Sequence, residues 1–403
     1  MTFVVDRSTP RGMSRISVEG SPLQRGRQYG EQARTQVHDS ITAYQRVFAH
    51  YADWDWAKVV SHANRYHQVV EDFAPHAIEE MRGIADGSGV EFGDILALNV
   101  RSEVMFASGA QNNKNLSGAL ANECSSFAVL PEATAAGHTI VGQNWDWLLH
   151  ARDTVVLVHA RRDDGPDYVT IVEAGLLAKT GVNNAGVASC TNTLVSFLDD
   201  GAVGVPYHVL LRRLLDAESI TDGVSTVFNA QKALSGNFLL GDVDGLAVDM
   251  EVNPGGVTSV RTLMPSGGVL AHTNHFLSPD FARSDSRIGT SPSTLFRLDC
   301  LESSLRRGAP NLTIKNLQGA LSDHRNFPVG VCAHGDERAS EYERYATIAS
   351  VIYDLDAHEM YLAAGAPCNG NFRRYQFDSK VGLVEIDTPD DVNVFHSEVQ
   401  GVR

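Results

Sequence analysis

The chain has no CxxC pair and only five cysteines: Cys124, Cys190, Cys300, Cys332 and Cys368. An odd count without close pairs fits neither a disulfide framework nor a zinc ribbon, and points to reduced thiols in a cytoplasmic setting. A basic excess is also missing. Lys and Arg number 33 against 49 Asp and Glu, and the net charge of −16 removes the positive field that nucleic-acid binding requires. No run of about 18 apolar residues occurs, so no membrane span is expected. The first thirteen residues contain no apolar h-region, so no secretory signal is expected either. Internal repeats are absent apart from two WDW triplets, at residues 54–56 and 145–147. With 43% hydrophobic and 20% charged residues over 403 positions, a soluble, acidic globular protein with a large core remains.

The chain changes character along its length. Residues 24–48, 59–70 and 77–84 carry spaced apolar positions of helical type, and Gly20, Gly26 and Gly30 read as turn or close-packing glycines. Residues 95–106 form an apolar run carrying Arg101 and Glu103, where a buried arginine must be paired. Residues 107–123, ASGAQNNKNLSGALANE, lack aromatics and are rich in small and amide side chains, so they are expected to form an exposed linker. Strands are expected at 126–130, 139–144, 154–160, 168–172, 187–191, 238–240, 246–251 and 348–353. Helices are expected at 207–217, 224–234 and 293–304. The pattern is helical first and then β-rich.

Cys124 stands where the linker meets the first of these strands. A thiol there can attack the carbonyl of Glu123, and hydrolysis of the resulting thioester cuts the chain between Glu123 and Cys124. The freed α-amine titrates near 8 and can act as base for its own thiol. By position alone, a small buried hydrophobe explains this cysteine as well. Asp146, in QNWDW, lies 22 residues further on and on the next strand of a hairpin, within reach of the Cys124 amine. A turn-capping Asp flanked by core tryptophans is the alternative there. In HTNHF, residues 272–276, the HxxH histidines lack a credible third ligand, so no metal is assigned. Asn274 between them offers a neutral amide suited to an oxyanion.

Taken in order, MRGIADGSGVEFGDILALNVRSE (81–103), ECSSFAVLPE followed by GHTIVGQNWDW, EAGLLAKTGVNNAGVA (173–188) and HTNHF resemble the isopenicillin N acyltransferase family. These are self-processing N-terminal-nucleophile enzymes, also called the acyl-coenzyme A:6-aminopenicillanic acid acyltransferase family. The similarity runs from about residue 20 to 377. It implies an α+β fold, a four-layer αββα sandwich of two antiparallel sheets. It makes Cys124 the nucleophile of self-cleavage and catalysis, Asp146 the residue orienting it, and Asn274 an oxyanion donor. Asn192 becomes a second donor or substrate contact, although a turn Asn bonding its own backbone fits equally well. The zymogen would divide into a helical segment 1–123 and a β-rich segment 124–403 that share one core. No cofactor is implied.

Three departures matter, and the last two touch the substrate more than the nucleophile. Glu123 replaces a glycine common before the nucleophile. Gly330, Val331, Cys332 and Ala333 stand where the penicillin acyltransferase has Ser-Ile-Cys-Arg, so the family's arginine is missing unless His334 or Arg338 takes its place. Gly236 occupies a serine position. The expectation is a cysteine amidohydrolase acting on small N-acyl compounds, with Trp145 either lining an acyl pocket or filling core. An acyltransferase using acyl-coenzyme A or an amine acceptor shares every catalytic residue. A catalytically silent binding protein draws support from Glu123 and Ala333. A metal-dependent hydrolase, resting on 15 histidines, lacks any HExxH motif.

Overall fold

The computed structural model describes residues 13–112, 123–336, 338–339, 342–378 and 382–386. The strands before the chain's midpoint are β1 (Ser14–Gly20), β2 (Cys124–Val129), β3 (Ile140–Leu148), β4 (Val155–Arg162), β5 (Tyr168–Glu173), β6 (Thr180–Asn183) and β7 (Val187–Asn192). After it come β8 (Gly236–Asp242), β9 (Ala247–Val252), β10 (Val260–Leu263), β11 (Val269–His272), β12 (Tyr345–Asp354), β13 (Glu359–Ala364), β14 (Arg373–Asp378) and β15 (Gly382–Ile386). They form two sheets, ordered β1-β4-β5-β6-β7-β8-β9-β10 and β11-β2-β3-β12-β13-β14-β15. Every pairing is antiparallel except β1 with β4, which is parallel.

The sheets face each other through β2 and β3 on one side and β7 and β8 on the other. Strands β2, β3, β5, β8 and β9 are buried at every position, so the polar side chains they carry must find partners inside the protein. Helices Ser293–Gly308 and Ile314–Leu321 close the outer face of the seven-stranded sheet with Leu301, Leu305, Leu317 and Leu321 against Phe127, Ile140 and Ile352. Helices Tyr207–Leu214 and Ile220–Asn229 lie beside β8 on the other side, with the N-terminal helices. The result is α+β, a four-layer αββα sandwich.

Two N-terminal helices, Pro22–Gln32 and Pro75–Ser88, cross at very short range. A Cβ on Gly26 would lie 2.1 Å from the Glu80 carbonyl oxygen, and one on Gly30 would lie 2.3 Å from that of Ile84. These glycines permit backbone contact. The buried Arg101 pairs with Glu173 of β5 at 2.6 Å, and Tyr44 bonds both, donating to Glu173 at 2.7 Å and accepting from Arg101 at 2.6 Å. Trp147 adds its indole N–H to the Tyr44 hydroxyl at 3.1 Å. This network ties the helical segment to both sheets.

Two expectations are corrected. The segment before residue 123 is not purely helical, because it contributes β1 to the eight-stranded sheet. Nor is 107–123 an exposed linker throughout: helix Arg101–Asn112 covers its start, and Ala107, Ser108 and Glu123 are buried. Residues 113–122, and the N-terminal residues before 13, lie outside the described residues.

Candidate active site

Cys124 opens β2 with no exposed surface, and the register places it opposite Trp145 of β3. The peptide bond before it is held on both sides. The Asp146 backbone N–H donates to the Glu123 carbonyl oxygen at 2.8 Å, and the Cys124 N–H donates to Asn274 Oδ1 at 2.7 Å. Past the bond, Arg297 donates to the Cys124 carbonyl oxygen at 2.7 Å, to Ser125 Oγ at 3.1 Å and to Asn274 Oδ1 at 3.0 Å. Both groups facing the Asn274 side chain here can only donate, so the amide orientation is fixed by chemistry. Its Nδ2 donates to the Thr193 carbonyl at 2.9 Å. The expected oxyanion donor therefore turns its oxygen, not its NH2 group, to the Cys124 nitrogen.

The Glu123 side chain is also enclosed. It accepts from Ser293 Oγ at 2.7 Å, from Tyr345 at 3.2 Å and from Ser291, and pairs with Arg297 Nε at 3.4 Å. Burial alone would raise its pKa, but Arg297, Arg287 and the hydroxyls of Ser291 and Ser293 hold it below the usual carboxylate value. Such a charge is tolerated inside a protein only because so many donors converge on it.

Asp146 is fully buried, and its pKa is pushed up to about 8, chiefly by burial, with Arg297 and the Thr347 hydroxyl pulling down and Glu123 pushing up. Thr347 donates to its Oδ1 at 2.5 Å, while Oδ2 has no hydrogen-bond partner among the described residues. Burial likewise raises the Cys124 thiol. The nearby Lys179 ammonium is the largest opposing influence, the Asp146 charge adds to the rise, and the Asp146 backbone N–H and Arg297 also pull down. Lys179 is itself buried, with its pKa lowered by desolvation, and lies 5.7 Å from the Trp145 ring centre.

The other expected residues lie close by. Asn192, at the end of β7, accepts from Ser126 Oγ at 2.5 Å and bridges the sheets. Trp145 is 1% exposed and belongs to the core cluster. The HxxH histidines part company: His272 Nε2 meets Glu251 at 3.0 Å, and His275 Nδ1 meets Thr294 at 2.9 Å. Gly236 is small because a Cβ there would strike the Tyr207 ring at 2.5 Å. At Ala333 the backbone matters, since its N–H donates to Thr347 Oγ1 at 2.9 Å and so supports Asp146. Arg338 is exposed and paired with Asp336. The buried cations beside Glu123 are Arg297, on helix Ser293–Gly308, and Arg287. Reading the sequence missed Arg297, Ser291, Ser293 and Thr347, none of which belongs to a recognisable motif, and Lys179, which lies inside the segment 173–188 without being singled out there.

A buried thiol thus opens a strand, with donors on both sides of the preceding peptide bond and a four-layer sandwich beneath it. Residues 133–369 match the family model described as Acyl-coenzyme A:6-aminopenicillanic acid acyl-transferase, and the chain belongs to that family. It is 23% identical over 364 residues to the Acyl-coenzyme A:6-aminopenicillanic-acid-acyltransferase 40 kDa form of Emericella nidulans, covering 89% of this chain and 94% of that protein. It is 25% identical over 245 residues to Protein dcd1A of Dictyostelium discoideum, 55% of this chain and 54% of the other. A mutant conjugated bile acid hydrolase from Clostridium perfringens superposes with a TM-score of 0.44 at 11% identity, over 66% of this chain and 97% of that one. For Penicillin V acylase from Agrobacterium tumefaciens the values are 0.36, 10%, 64% and 87%.

Proposed function

We propose that the chain is a self-cleaving cysteine amidohydrolase whose nucleophile is Cys124. The observation that carries this reading is the clamp on the Glu123–Cys124 bond. Attack of the Cys124 sulfur on the Glu123 carbonyl carbon places negative charge on the oxygen that accepts from the Asp146 N–H. The carbon–nitrogen bond then breaks, the proton goes to the Cys124 nitrogen, and Glu123 is left as a thioester on Cys124. Water hydrolyses it. The new α-amine, with an ordinary pKa of about 8, stays beside Asn274 Oδ1 and serves as base for the thiol.

The same parts then act on an N-acyl substrate. Cys124 attacks the acyl carbon, the Asp146 N–H stabilises the oxyanion, the amine leaves with a proton, and water releases the acid. Asp146 contributes through its backbone N–H and through an uncommitted Oδ2 that can meet the new amine. Because Glu123 is the acyl group of the first reaction, its pocket is the acyl pocket of the second. Arg297, Ser293 and Tyr345 thus favour an acyl group carrying a carboxylate as far from its carbonyl as in a glutamate side chain. Acyl transfer from acyl-coenzyme A to an amine is the second reading, favoured by the family description. None of the five cysteines forms a disulfide, which supports a reducing, cytoplasmic setting.

A denaturing gel tests self-cleavage. The parent should give fragments of 123 and 280 residues, and Cys124→Ala a single band. An uncut parent overturns the processing claim and leaves the silent binding protein. Amine release from N-acyl amides, with and without an added amine acceptor, separates hydrolysis from transfer, and cleavage without any release counts against both.

A further inference from the structure

On the loop after helix Ile314–Leu321 and the turn after β13, two histidines and two cysteines converge. His324, Cys332 and His334 belong to the loop after helix Ile314–Leu321, and Cys368 lies on the turn Pro367–Asn369 after β13. One ligand atom from each falls within 4.8 Å of all the others. His334 Nε2 is 3.0 Å from His324 Nε2, 3.4 Å from Cys332 Sγ and 3.6 Å from Cys368 Sγ.

Hydrogen bonding does not account for this. A single ring nitrogen offers one hydrogen or one lone pair, yet His334 Nε2 faces three polar atoms at once. A central cation accounts for all of it. With Zn–N near 2.0–2.1 Å and Zn–S near 2.3 Å, a tetrahedron has N···N edges of about 3.3 Å and N···S edges of about 3.6 Å. The observed separations fall within a few tenths of an ångström of these edges.

We propose that His324, Cys332, His334 and Cys368 bind one zinc ion as a closed Cys2His2 structural site. Binding displaces both thiol protons, and two thiolates with two neutral imidazoles leave the centre uncharged. Four protein ligands leave no position for water or substrate, so the ion braces the fold and does no chemistry. The loop is already shaped for it: the Cys332 N–H donates to the Asp323 carbonyl at 3.0 Å, and the His334 N–H to that of Pro328 at 2.8 Å. What the ion holds is consequential. Between Cys332 and His334, Ala333 donates to Thr347, which donates to Asp146, and Asn144 Nδ2 donates to the Val331 carbonyl at 2.8 Å. The zinc pins this loop to the turn after β13 and so supports the strand that carries Asp146.

The test uses the full chain, purified without a polyhistidine tag. Elemental analysis after dialysis should find about one zinc per chain. Cobalt added to chelator-treated protein should give thiolate charge-transfer bands and the visible absorption of a tetrahedral site. Cys368→Ser combined with His324→Ala should lose the zinc and melt lower while keeping its circular dichroism. Cys124→Ala should keep the full complement, so metal content is read independently of self-cleavage. A parent with no zinc and no cobalt spectrum overturns the proposal, as does a Cys332–Cys368 disulfide in the native protein. Undiminished zinc in the double variant also overturns it, and the cobalt titration of the parent decides should that variant misfold.

Discussion

The backbone N–H of Asp146 lies 2.8 Å from the carbonyl oxygen of Glu123. A main-chain group of β3 therefore polarises the carbonyl next to the only thiol at the start of β2, and needs no side chain to do so. The Asp146 carboxyl, pushed to about 8 by burial, is free for a second task.

That titration has a measurable sign. In the unfolded chain Asp146 ionises near 3.8, while in the folded chain it keeps its proton until about 8. Between these values the native state holds the extra proton, so stability falls as pH rises, by at most about 1.4 kcal/mol per pH unit. In a Cys124→Ala background, which removes cleavage, Asp146→Asn should flatten this slope between roughly pH 4 and 8. Glu103, raised to about 7 by burial, contributes in the same direction in both proteins and cancels in the comparison. Parallel melting-temperature curves for the two proteins would refute the assignment.

Arg297 reaches Glu123, Cys124, Ser125 and Asn274 from one helix position. Arg297→Met strands a buried carboxylate and should cost about 3–5 kcal/mol. Adding Glu123→Gln should recover part of that loss, because the stranded carboxylate is then gone. Arg297→Lys should not restore cleavage, since an ammonium lacks the planar fork that spans several acceptors. Denaturant unfolding in the Cys124→Ala background gives the energies, and additive single effects would sink the coupling.

Lys179 acts on Cys124 through charge. Lys179→Met should move the pH–rate profile of self-cleavage to higher pH, with the rate on the acid limb falling about tenfold for each unit of thiol shift. Lys179→Arg should retain the parent profile. An equal loss at every pH would mark Lys179 as a packing residue only.

Much of the sandwich was legible because β-branched and aromatic runs bounded by turn residues are local signals; the expected 168–172 and 187–191 each fall one residue short of β5 and β7. β1 escaped because its parallel partner β4 lies far along the chain. The small residues from Ala107 onward suggest an exposed linker, but Ala107 and Ser108 are buried. Ala107 is small because helix Arg101–Asn112 packs tightly there: a Cβ on Gly201 would lie 2.5 Å from Ala107 Cα. Cys124, Asp146 and Asn274 stand in recognisable motifs, whereas Arg297 is one arginine in an ordinary amphipathic helix. The His324–Cys368 cluster spans more than forty residues and has no short-motif spacing, so only the pairing of β12 with β13 brings it together.

The enclosure of Glu123 also sets an expectation for substrates. Once its carboxylate leaves, Arg297, Ser293 and Tyr345 remain aimed at the place it occupied. A glutaryl-type amide puts a carboxylate there, and a neutral acyl chain of equal length leaves buried donors unmet. Charge-assisted hydrogen bonds contribute about 1.5–3 kcal/mol, so kcat/KM should favour the charged acyl group by about 10- to 100-fold. Ser293→Ala and Tyr345→Phe should each shrink that ratio while leaving turnover of the neutral amide nearly unchanged, because their hydrogen bonds here go to the acyl-group carboxylate rather than to Cys124. A peptide ending in Glu123 should compete with the charged substrate. Equal rates for charged and neutral amides would show that the pocket serves self-cleavage alone.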